Sequence, residues 1–323
     1  MSTPKIIVIT GPTATGKTAL GISVAKSVDC EVVSADSMQV YKHMDIGTSK
    51  PLPDETLDIP HHMIDFISPL DDYSVARYVK DATICVDDIF ARNKTPLLVG
   101  GSGLYIDSLL SGQGFKPRGN DDIRQELESR YDSLGGETLL QELRTFDPSS
   151  ADRLNANDKK RIVRAIEVFK TTGKTISEHN DESAITPPKY NAIKFALTFS
   201  DRDLLYARID KRVEIMVSDG LEREVQNLLD MGVSKGSTAM QAIGYKEMVD
   251  ALLGNCSVNE AVEKIKMESR RYAKRQLTWL RRDKNINWIT WDKSPDYSMG
   301  VDIILKHIYT DGPSATVHNL PEK

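Results

Sequence analysis

The chain has 323 residues and a net charge of −5, and its 40% hydrophobic and 28% charged residues are typical of a soluble globular protein. No stretch approaches the roughly 20 apolar residues of a membrane span. The apolar run that starts at Lys5 leaves no room for a signal peptide. Three widely spaced cysteines, at 30, 85 and 256, suggest neither a disulfide framework nor a metal motif. We therefore expect a cytoplasmic protein that is not associated with a membrane.

Apolar runs alternate with helical periodicity in the first third of the chain. Strands are predicted over residues 5–10, 31–34 and 96–100, and helices over residues 16–28 and 75–92. This alternation predicts an α/β fold, with a parallel sheet flanked by helices.

The strand signals stop near Gly112 and return at residues 191–200. We predict an all-helical insertion at residues 116–190 within a catalytic core formed by residues 1–115 and 191–311. A flexible tail is predicted at residues 312–323. The second half of the core is predicted to contain helices over residues 201–232, 237–253 and 257–283, and a strand over residues 286–291.

The segment "GPTATGKT" follows the first predicted strand and opens the first predicted helix. Its G-x-x-x-x-G-K-T spacing in that setting is the signature of a P-loop, so the predicted parallel sheet is P-loop NTPase-like. Backbone N–H groups of such a loop surround phosphate oxygens, Lys17 would neutralise them, and the Thr18 hydroxyl can reach a Mg²⁺ ion. The motif predicts a polyphosphate ligand rather than a nucleotide in particular. The predicted phosphate-binding residues are Gly11, Pro12, Thr13, Ala14, Thr15, Gly16, Lys17 and Thr18.

Three polar residues follow the second predicted strand in "SADSMQVY". Asp36 is suited to hold the water shell of Mg²⁺, to activate an acceptor, or to take a proton from a nucleophile. Gln39 offers a donor and an acceptor together, which is the pattern that reads the edge of an adenine base. A capping turn is the alternative interpretation, but the nearby P-loop favours a site. Ser37 receives no role from the sequence.

The strand over residues 96–100 runs into "GGSGLY", where a Walker B strand would end in aspartate. This difference counts against an ordinary NTPase. The glycines permit close approach of a ligand and Ser102 supplies a hydroxyl, whereas a packing turn is the alternative. The histidines of "HHMID", residues 61–65, lack a third ligand at metal-binding spacing, so we expect a structural role for them.

Two predicted helices carry rows of basic side chains. In the insertion, Lys160 and Arg164 face away from the apolar stripe with Arg161 on its flank, and a solvated face is an equally good interpretation. In the helix over residues 257–283, four cations share a stripe about 60° from Trp279. Cations beside an aromatic residue suit a nucleic-acid backbone with unstacked bases. The four residues of this stripe are Lys264, Arg271, Arg275 and Arg282.

Eight motifs occur in the order "GPTATGKTAL", "SADSMQVY", "IGTSKP", "PHHMID", "GGSGLY", "RIVRAIEV", "QAIGYKE" and "KRQLTWLRR". Together they resemble the tRNA dimethylallyltransferase family (isopentenyl-diphosphate:tRNA transferases), in its bacterial form without a C-terminal zinc finger. The resemblance covers residues 5–290. It implies transfer of a dimethylallyl group from dimethylallyl diphosphate to N6 of adenosine 37 in tRNAs that read codons starting with U. It also implies Mg²⁺, a P-loop that holds diphosphate, and a helical insertion that binds the anticodon stem–loop, with the target base flipped into the core.

The resemblance assigns catalytic roles to four residues. Asp36 would be the general base on the adenine amine, Lys17 would neutralise the leaving group, and Thr18 would support the metal and the diphosphate. Arg208, in "LLYARID", matches an arginine that contacts the diphosphate. The implied tRNA-binding residues are Asp36, Ser37, Met38, Gln39, Ser102, Arg124, Lys160, Arg161, Ile162, Val163, Arg164, Gln241, Gly244, Tyr245, Lys246, Lys274, Arg275, Gln276, Trp279 and Arg281.

The chain departs from the family pattern at three places. Ser102 replaces the usual threonine and keeps its hydroxyl, Tyr206 replaces the usual histidine before Arg208, and "TATG" replaces "TASG" in the P-loop. Two other classes stay open from the residues alone. One is a P-loop nucleotide or small-molecule kinase, and the other is a GTPase-like RNA-binding switch, for which no N/T-K-x-D motif is present. We expect a monomer, since no feature demands more.

Overall fold

A computed structural model describes residues 5–112, 121–185 and 187–309. The chain divides into two compact units, Met1–Gly112 with Lys189–Lys323, and Gln113–Pro188. We call the first the core unit and the second the insertion unit. The predicted tail at residues 312–323 and the predicted start of the insertion at residues 116–120 lie outside the described residues.

The core unit is built on a six-stranded sheet in which all neighbouring strands are parallel. The strands are β1 (Lys5–Thr10), β2 (Cys30–Ser34), β3 (His61–His62), β4 (Thr95–Gly100), β5 (Asn191–Phe199) and β6 (Ile286–Trp291). Their order in the sheet is β3-β2-β4-β1-β5-β6. The carboxyl ends of β2, β4 and β1 therefore meet at one edge, where ligands bind in sheets of this kind. The predicted α/β fold is confirmed.

Helices flank the sheet and make up the insertion unit, which contains α5 to α9. Among the described residues, none of these helices is long and apolar enough to cross a bilayer. The helices are α1 (Lys17–Ser27), α2 (Pro53–Thr56), α3 (Val75–Ala91), α4 (Gly103–Ser111), α5 (Asp121–Leu134), α6 (Gly136–Phe146), α7 (Pro148–Ala151), α8 (Lys159–Thr172), α9 (Ile176–Ile185), α10 (Arg202–Ser218), α11 (Leu221–Asp230), α12 (Tyr245–Leu252), α13 (Val258–Leu280) and α14 (Tyr297–Tyr309).

Apolar side chains cover both faces of the sheet. Alternate residues of β1 point to opposite faces, so Ile6 and Val8 join one buried cluster while Ile7 and Ile9 join another. The insertion unit has a separate apolar core. It is formed by residues that include Leu127, Leu139, Leu143, Ile162 and Ile166.

The prediction of one continuous helix over residues 237–253 is wrong. A short 3₁₀ helix at Ala239–Gln241 is followed by a break, and α12 begins only at Tyr245. The backbone φ of Gly244 is +101°, a value that side-chain-bearing residues rarely adopt, so the chain changes direction there. This break places Tyr245 in the core.

Candidate active site

The P-loop connects β1 to α1 at the carboxyl edge of the sheet. Gly16, with φ +87°, precedes the helix in the left-handed region that favours glycine. Thr15 Oγ1 and Lys17 Nζ both donate to Pro12 O at 2.8 Å. These bonds curve the loop around the N-terminus of α1, where peptide N–H groups and the helix dipole favour an anion.

Two side chains from distant parts of the chain brace this loop. Arg208 Nε, from α10, donates to Ala14 O at 3.1 Å, which puts the predicted arginine against the P-loop. Trp291 Nε1, at the end of β6, donates to Thr15 O at 3.0 Å. The local sequence does not indicate the tryptophan contact, because its partners are 276 residues apart.

Three charged groups influence one another beside the loop. Burial and then the positive charge of Arg212 lower the pKa of Lys17 to about 7, while Asp36 opposes the shift. Burial also lowers the pKa of Arg212, again opposed by Asp36. A bound anion would favour the protonated lysine and offset the repulsion between the two cations.

Arg212 is a candidate functional residue that the sequence analysis does not identify. Its Nη2 reaches Thr48 O only at 3.5 Å, and its Nε is buried without a hydrogen-bond partner among the described residues. Such an unpaired donor costs free energy. It is therefore suited to an oxygen of a bound phosphate.

The segment after β2 is both a turn and a part of the site. Met38 N donates to Asp36 Oδ1 at 2.9 Å, which is the capping turn offered as the alternative interpretation. Ser37 N donates to Ser102 Oγ at 3.0 Å, and that hydroxyl donates to Ser37 Oγ at 3.3 Å. Ser37 thus ties the end of β2 to the loop after β4. Contacts of this segment with tRNA stay a prediction.

The Gln39 side chain is engaged within the protein. Its Oε1 accepts from Ser34 Oγ at 3.2 Å, and its Nε2 donates to Thr48 O and Ser49 O, both at 3.3 Å. Reading an adenine edge would require Gln39 to exchange these bonds. In the structure, its amide instead holds residues 48–49 beside the site.

One pocket joins the P-loop to the segment after β2. Lys17, Thr18 and Asp36 form part of its polar lining. Lys17 and Thr18 suit a bound phosphate group, and Asp36 can accept a proton from a second reactant. The remaining wall suits a short hydrocarbon chain. The apolar part of the wall comes from Val32, Pro51, Ile64 and Val99.

His61 also lines this pocket, whereas we predicted only a structural role. Its Nδ1 lies 2.8 Å from Ile59 O and must donate there, since a carbonyl only accepts. Burial lowers the pKa of His61, which favours the neutral ring. The neighbouring His62 is structural, because its Nε2 contacts Glu31 of β2 at 2.8 Å.

Phenol groups lie near Asp36. Tyr78 and Tyr105 stack with ring centroids 4.1 Å apart, and Tyr272 of α13 hydrogen-bonds Ser102. Burial raises the pKa of all three phenols, and the charge of Asp36 contributes; the pKa of Tyr272 rises to about 12. They are therefore neutral donors at physiological pH.

The glycine-rich loop after β4 packs against protein. A Cβ on Gly100 would lie 2.2 Å from Ala35 O, and one on Gly101 would lie 2.4 Å from Gln276 Nε2. Gln276 is buried, donates to Gly101 O at 2.8 Å and accepts from Thr13 N at 3.2 Å. This side chain therefore joins the P-loop to the loop after β4, and the predicted tRNA contact of Gln276 stays a prediction.

The motif around α12 contains both buried and accessible residues. Tyr245 is fully buried, and its hydroxyl donates to Glu224 at 2.5 Å. Gly244 beside it is buried as well. Gln241 and Lys246 are accessible, and their contact with tRNA stays a prediction.

The basic face of α13 is partly paired. Arg275 lies over the ring of Tyr272 at 5.7 Å, and Arg271 pairs with Glu268 at 2.7 Å. Trp279 is half-buried and donates to Asp107 at 3.1 Å. The predicted tRNA contact of Trp279 and of the exposed cations stays a prediction. These exposed cations are Lys274, Arg275 and Arg281.

In the insertion unit, two predicted tRNA-binding arginines converge on one carboxylate. Arg124 Nη2 and Arg164 Nη1 donate to Oε2 of the fully buried Glu167, at 3.0 and 2.8 Å. Both arginine side chains are about 40% exposed, at 44% and 39%. Glu167 therefore fixes two guanidinium groups at the surface.

The neighbours of these arginines on α8 divide into two sets. Lys160 and Arg161 are exposed, as a solvated or RNA-binding face requires. Ile162 and Val163 are buried in the apolar core of the unit. These two side chains therefore pack in the core of the unit, and the predicted tRNA contact of their segment stays a prediction.

The pocket has donors that fit Mg²⁺. The Thr18 hydroxyl and the Asp36 carboxylate line the same cavity, and oxygens of these kinds are the ligands that Mg²⁺ prefers. No group of three or more His, Cys, Asp or Glu side chains is arranged around a metal position in the described part of the chain. A Mg²⁺ ion here would take its other ligands from substrate phosphates and water.

The fold and the P-loop define a P-loop-like α/β protein, and comparisons with known proteins give its family. The IPP transferase profile matches residues 39–283, and the isopentenyl transferase profile matches residues 4–66. The tRNA dimethylallyltransferase of Acetivibrio thermocellus is 45% identical, with 89% of this chain and 92% of the relative covered. That of Carboxydothermus hydrogenoformans is 48% identical, over 88% and 91%.

Solved structures of similar proteins give the same family. The tRNA isopentenylpyrophosphate transferase of Bacillus halodurans superposes with a TM-score of 0.71 at 40% identity, over 94% of this chain and 95% of the other. A eukaryotic dimethylallyltransferase acting on tRNA gives a TM-score of 0.79 at 28% identity, over 94% and 79%. The chain therefore belongs to the IPP transferase family of tRNA-modifying prenyltransferases.

Proposed function

We propose that this protein transfers the dimethylallyl group of dimethylallyl diphosphate to N6 of adenosine 37 in tRNAs that read codons starting with U. The observation that carries the proposal is that Lys17 and Thr18 of the P-loop line the same pocket as Asp36. A diphosphate site beside a proton acceptor is what this reaction needs. The family relationship favours prenyl transfer over the kinase alternative.

The P-loop N–H groups, Lys17 and Arg212 would hold the diphosphate, with Arg208 at the outer side of the loop. An exocyclic amine is a weak nucleophile, so stabilising the departing diphosphate lowers the barrier most. Mg²⁺, held through Thr18 and the diphosphate oxygens, would supply further positive charge against the leaving group.

Asp36 would act on the other reactant. The bond between the allylic C1 and the diphosphate oxygen breaks, the bond from C1 to N6 forms, and the N6 proton passes to the Asp36 carboxylate. The Asx turn fixes that carboxylate, because its Oδ1 accepts from Met38 N. Holding base and allylic carbon in line supplies the rest of the acceleration.

The partner in this proposal is the tRNA anticodon stem–loop, bound by the exposed cations of the insertion unit and of α13. A monomeric, cytoplasmic enzyme is part of the same proposal.

The test is incubation with dimethylallyl diphosphate labelled in its prenyl group and unmodified tRNA. We expect label in the tRNA, and none in a matched tRNA with guanosine at position 37, which lacks the N6 amine. Parallel reactions contain ATP and small acceptors. Phosphate transfer from ATP without label in RNA would overturn the proposal in favour of a kinase.

A further inference from the structure

A buried carboxylate outside the pocket holds one of the loops that shape it. Glu224, on α11, accepts N–H donors from three successive residues, Asp45, Ile46 and Gly47, at 2.9, 2.7 and 3.0 Å. Its fourth bond comes from the Tyr245 hydroxyl at 2.5 Å. Consecutive peptide N–H groups that converge in this way form an anion-binding concavity. Here the anion is a side chain of the protein itself.

The buried aromatic ring of Tyr245 packs against the same loop at Gly47. A Cβ on Gly47 would lie 2.4 Å from that ring, so the loop packs directly on it. Inside the loop, Thr48 Oγ1 donates to Met44 O at 2.6 Å. The conformation of residues 45–49 is therefore fixed by Glu224 and Tyr245 together.

The inner side of this loop faces catalytic groups. The carbonyls of Thr48 and Ser49 both accept from Gln39 Nε2, and Thr48 O also accepts from Arg212 Nη2. Gln39 lines the pocket that contains Asp36, and the charge of Arg212 lowers the pKa of Lys17. Moving the two carbonyls would therefore move Gln39, which lines the pocket, and Arg212, which hydrogen-bonds one of them.

We propose that Glu224 is a positioning residue for prenyl transfer, which acts through the carbonyls of Thr48 and Ser49 on Arg212 and Gln39. The inference rests on the proposed function, since Arg212 matters here as a ligand of the diphosphate. Both oxygens of the carboxylate must accept hydrogen bonds, because together they serve four donors. An amide at this position would turn an N–H group toward the peptide donors.

The test compares Glu224→Gln with Asp147→Asn in the full-length protein. Asp147 is a matched control in the insertion unit, where it is buried and accepts from Ser150 N, Ser177 N and Ser177 Oγ. Steady-state transfer is measured at saturating tRNA, together with the melting temperature of each variant. Glu224→Gln is expected to raise the KM for dimethylallyl diphosphate about tenfold. Asp147→Asn is expected to lower the melting temperature and leave that KM unchanged.

Tyr245→Phe keeps the proposal testable if Glu224→Gln fails to fold. It removes one of the four donors and leaves the carboxylate, so we expect a rise in the same KM of about threefold. Equal KM values for wild type, Glu224→Gln and Tyr245→Phe would overturn the positioning role. Failure of the wild-type protein to transfer label at all would instead overturn the proposed function, which separates the two outcomes.

Discussion

Two buried glutamates, one in each unit, are used in opposite ways. Glu224 in the core unit accepts peptide N–H groups and a phenol, and so fixes the shape of a loop. Glu167 in the insertion unit accepts from Arg124 and Arg164, and so fixes positive charge at a surface. The difference suggests that the core unit depends on exact placement of a few atoms, whereas the insertion unit depends on charge that RNA can reach. Changes in the first should alter catalysis, and changes in the second should alter tRNA affinity.

The largest effect is expected at Asp36. Asp36→Ala should lower kcat by about 10²- to 10⁴-fold, the usual contribution of a general base, while tRNA binding is retained. Single-turnover transfer of the labelled prenyl group measures the loss of rate, and filter binding measures the affinity for tRNA. Asp36→Asn separates loss of the base from loss of the turn, because the amide keeps the size of the side chain and an acceptor for Met38 N but cannot take the proton. Near-normal turnover of either variant would show that another group takes the proton.

A smaller effect, confined to the KM for dimethylallyl diphosphate, is expected when Arg212 is substituted. Removing a charged donor to the diphosphate with Arg212→Met should raise the KM for dimethylallyl diphosphate about 10- to 100-fold. Arg212→Lys keeps the charge but loses the planar fork, so it should recover only part of the loss. An unchanged KM in both variants would mean that the buried Nε has no role in binding.

The pKa of Lys17 predicts a pH dependence of the same binding step. Burial and Arg212 lower this pKa from 10.5 to about 7, so the free protein loses the lysine proton as pH rises above 7. Bound diphosphate favours the protonated form. Binding should therefore take up a proton, and the affinity should fall by up to about tenfold per pH unit between pH 7.5 and 9.

Calorimetry at pH 8.5 in two buffers of different ionisation enthalpy measures this uptake. The second phosphate ionisation lies near pH 6, so the ligand itself contributes little in this range. Lys17→Met serves as the control and should abolish the uptake. Affinity that is independent of pH up to pH 9, with no proton taken up, would contradict the lowered pKa.

The sequence predicts the parts of the site that depend on local pattern. The P-loop and the Asp36 turn each lie next to the strand that positions them, so strand, glycine spacing and polar residues identify them together. Arg212, Tyr272 and Glu224 carry no such local signature. They reach the site only through tertiary packing, in which α10 contacts β5 as well as α11 and α13.

Motif resemblance also assigned whole segments to tRNA contact without distinguishing buried from exposed side chains. In "RIVRAIEV", the helical period places Ile162 inward and Arg161 outward, and one continuous motif therefore has two different roles. Gln276 and Tyr245 are likewise buried, and their polar atoms bond to partners that are distant in the sequence. Only tertiary structure shows that such polar groups are already paired.

The smallest effect is expected at the surface of the insertion unit, where Arg164 and Arg161 form a matched pair on α8. Glu167 holds the Arg164 guanidinium at 2.8 Å, and that side chain is 39% exposed. Arg161 is 73% exposed and pairs with Asp158 only at 3.4 Å. A fixed guanidinium loses less conformational entropy when it binds a phosphate. Arg164→Ala should therefore weaken tRNA binding about fivefold, and Arg161→Ala less than twofold.

Titration of tRNA affinity with salt distinguishes a phosphate contact from a loss of structure. Loss of one phosphate contact should make the slope of log K against log salt less steep by about 0.7 to 0.9, without a change in kcat at saturating tRNA. Glu167→Gln keeps both arginines but releases them, so it should reproduce most of the affinity loss with the slope unchanged. Equal losses for Arg161→Ala and Arg164→Ala would show that exposed charge alone matters in this unit. The contrast between the two glutamates would then hold only for the core unit.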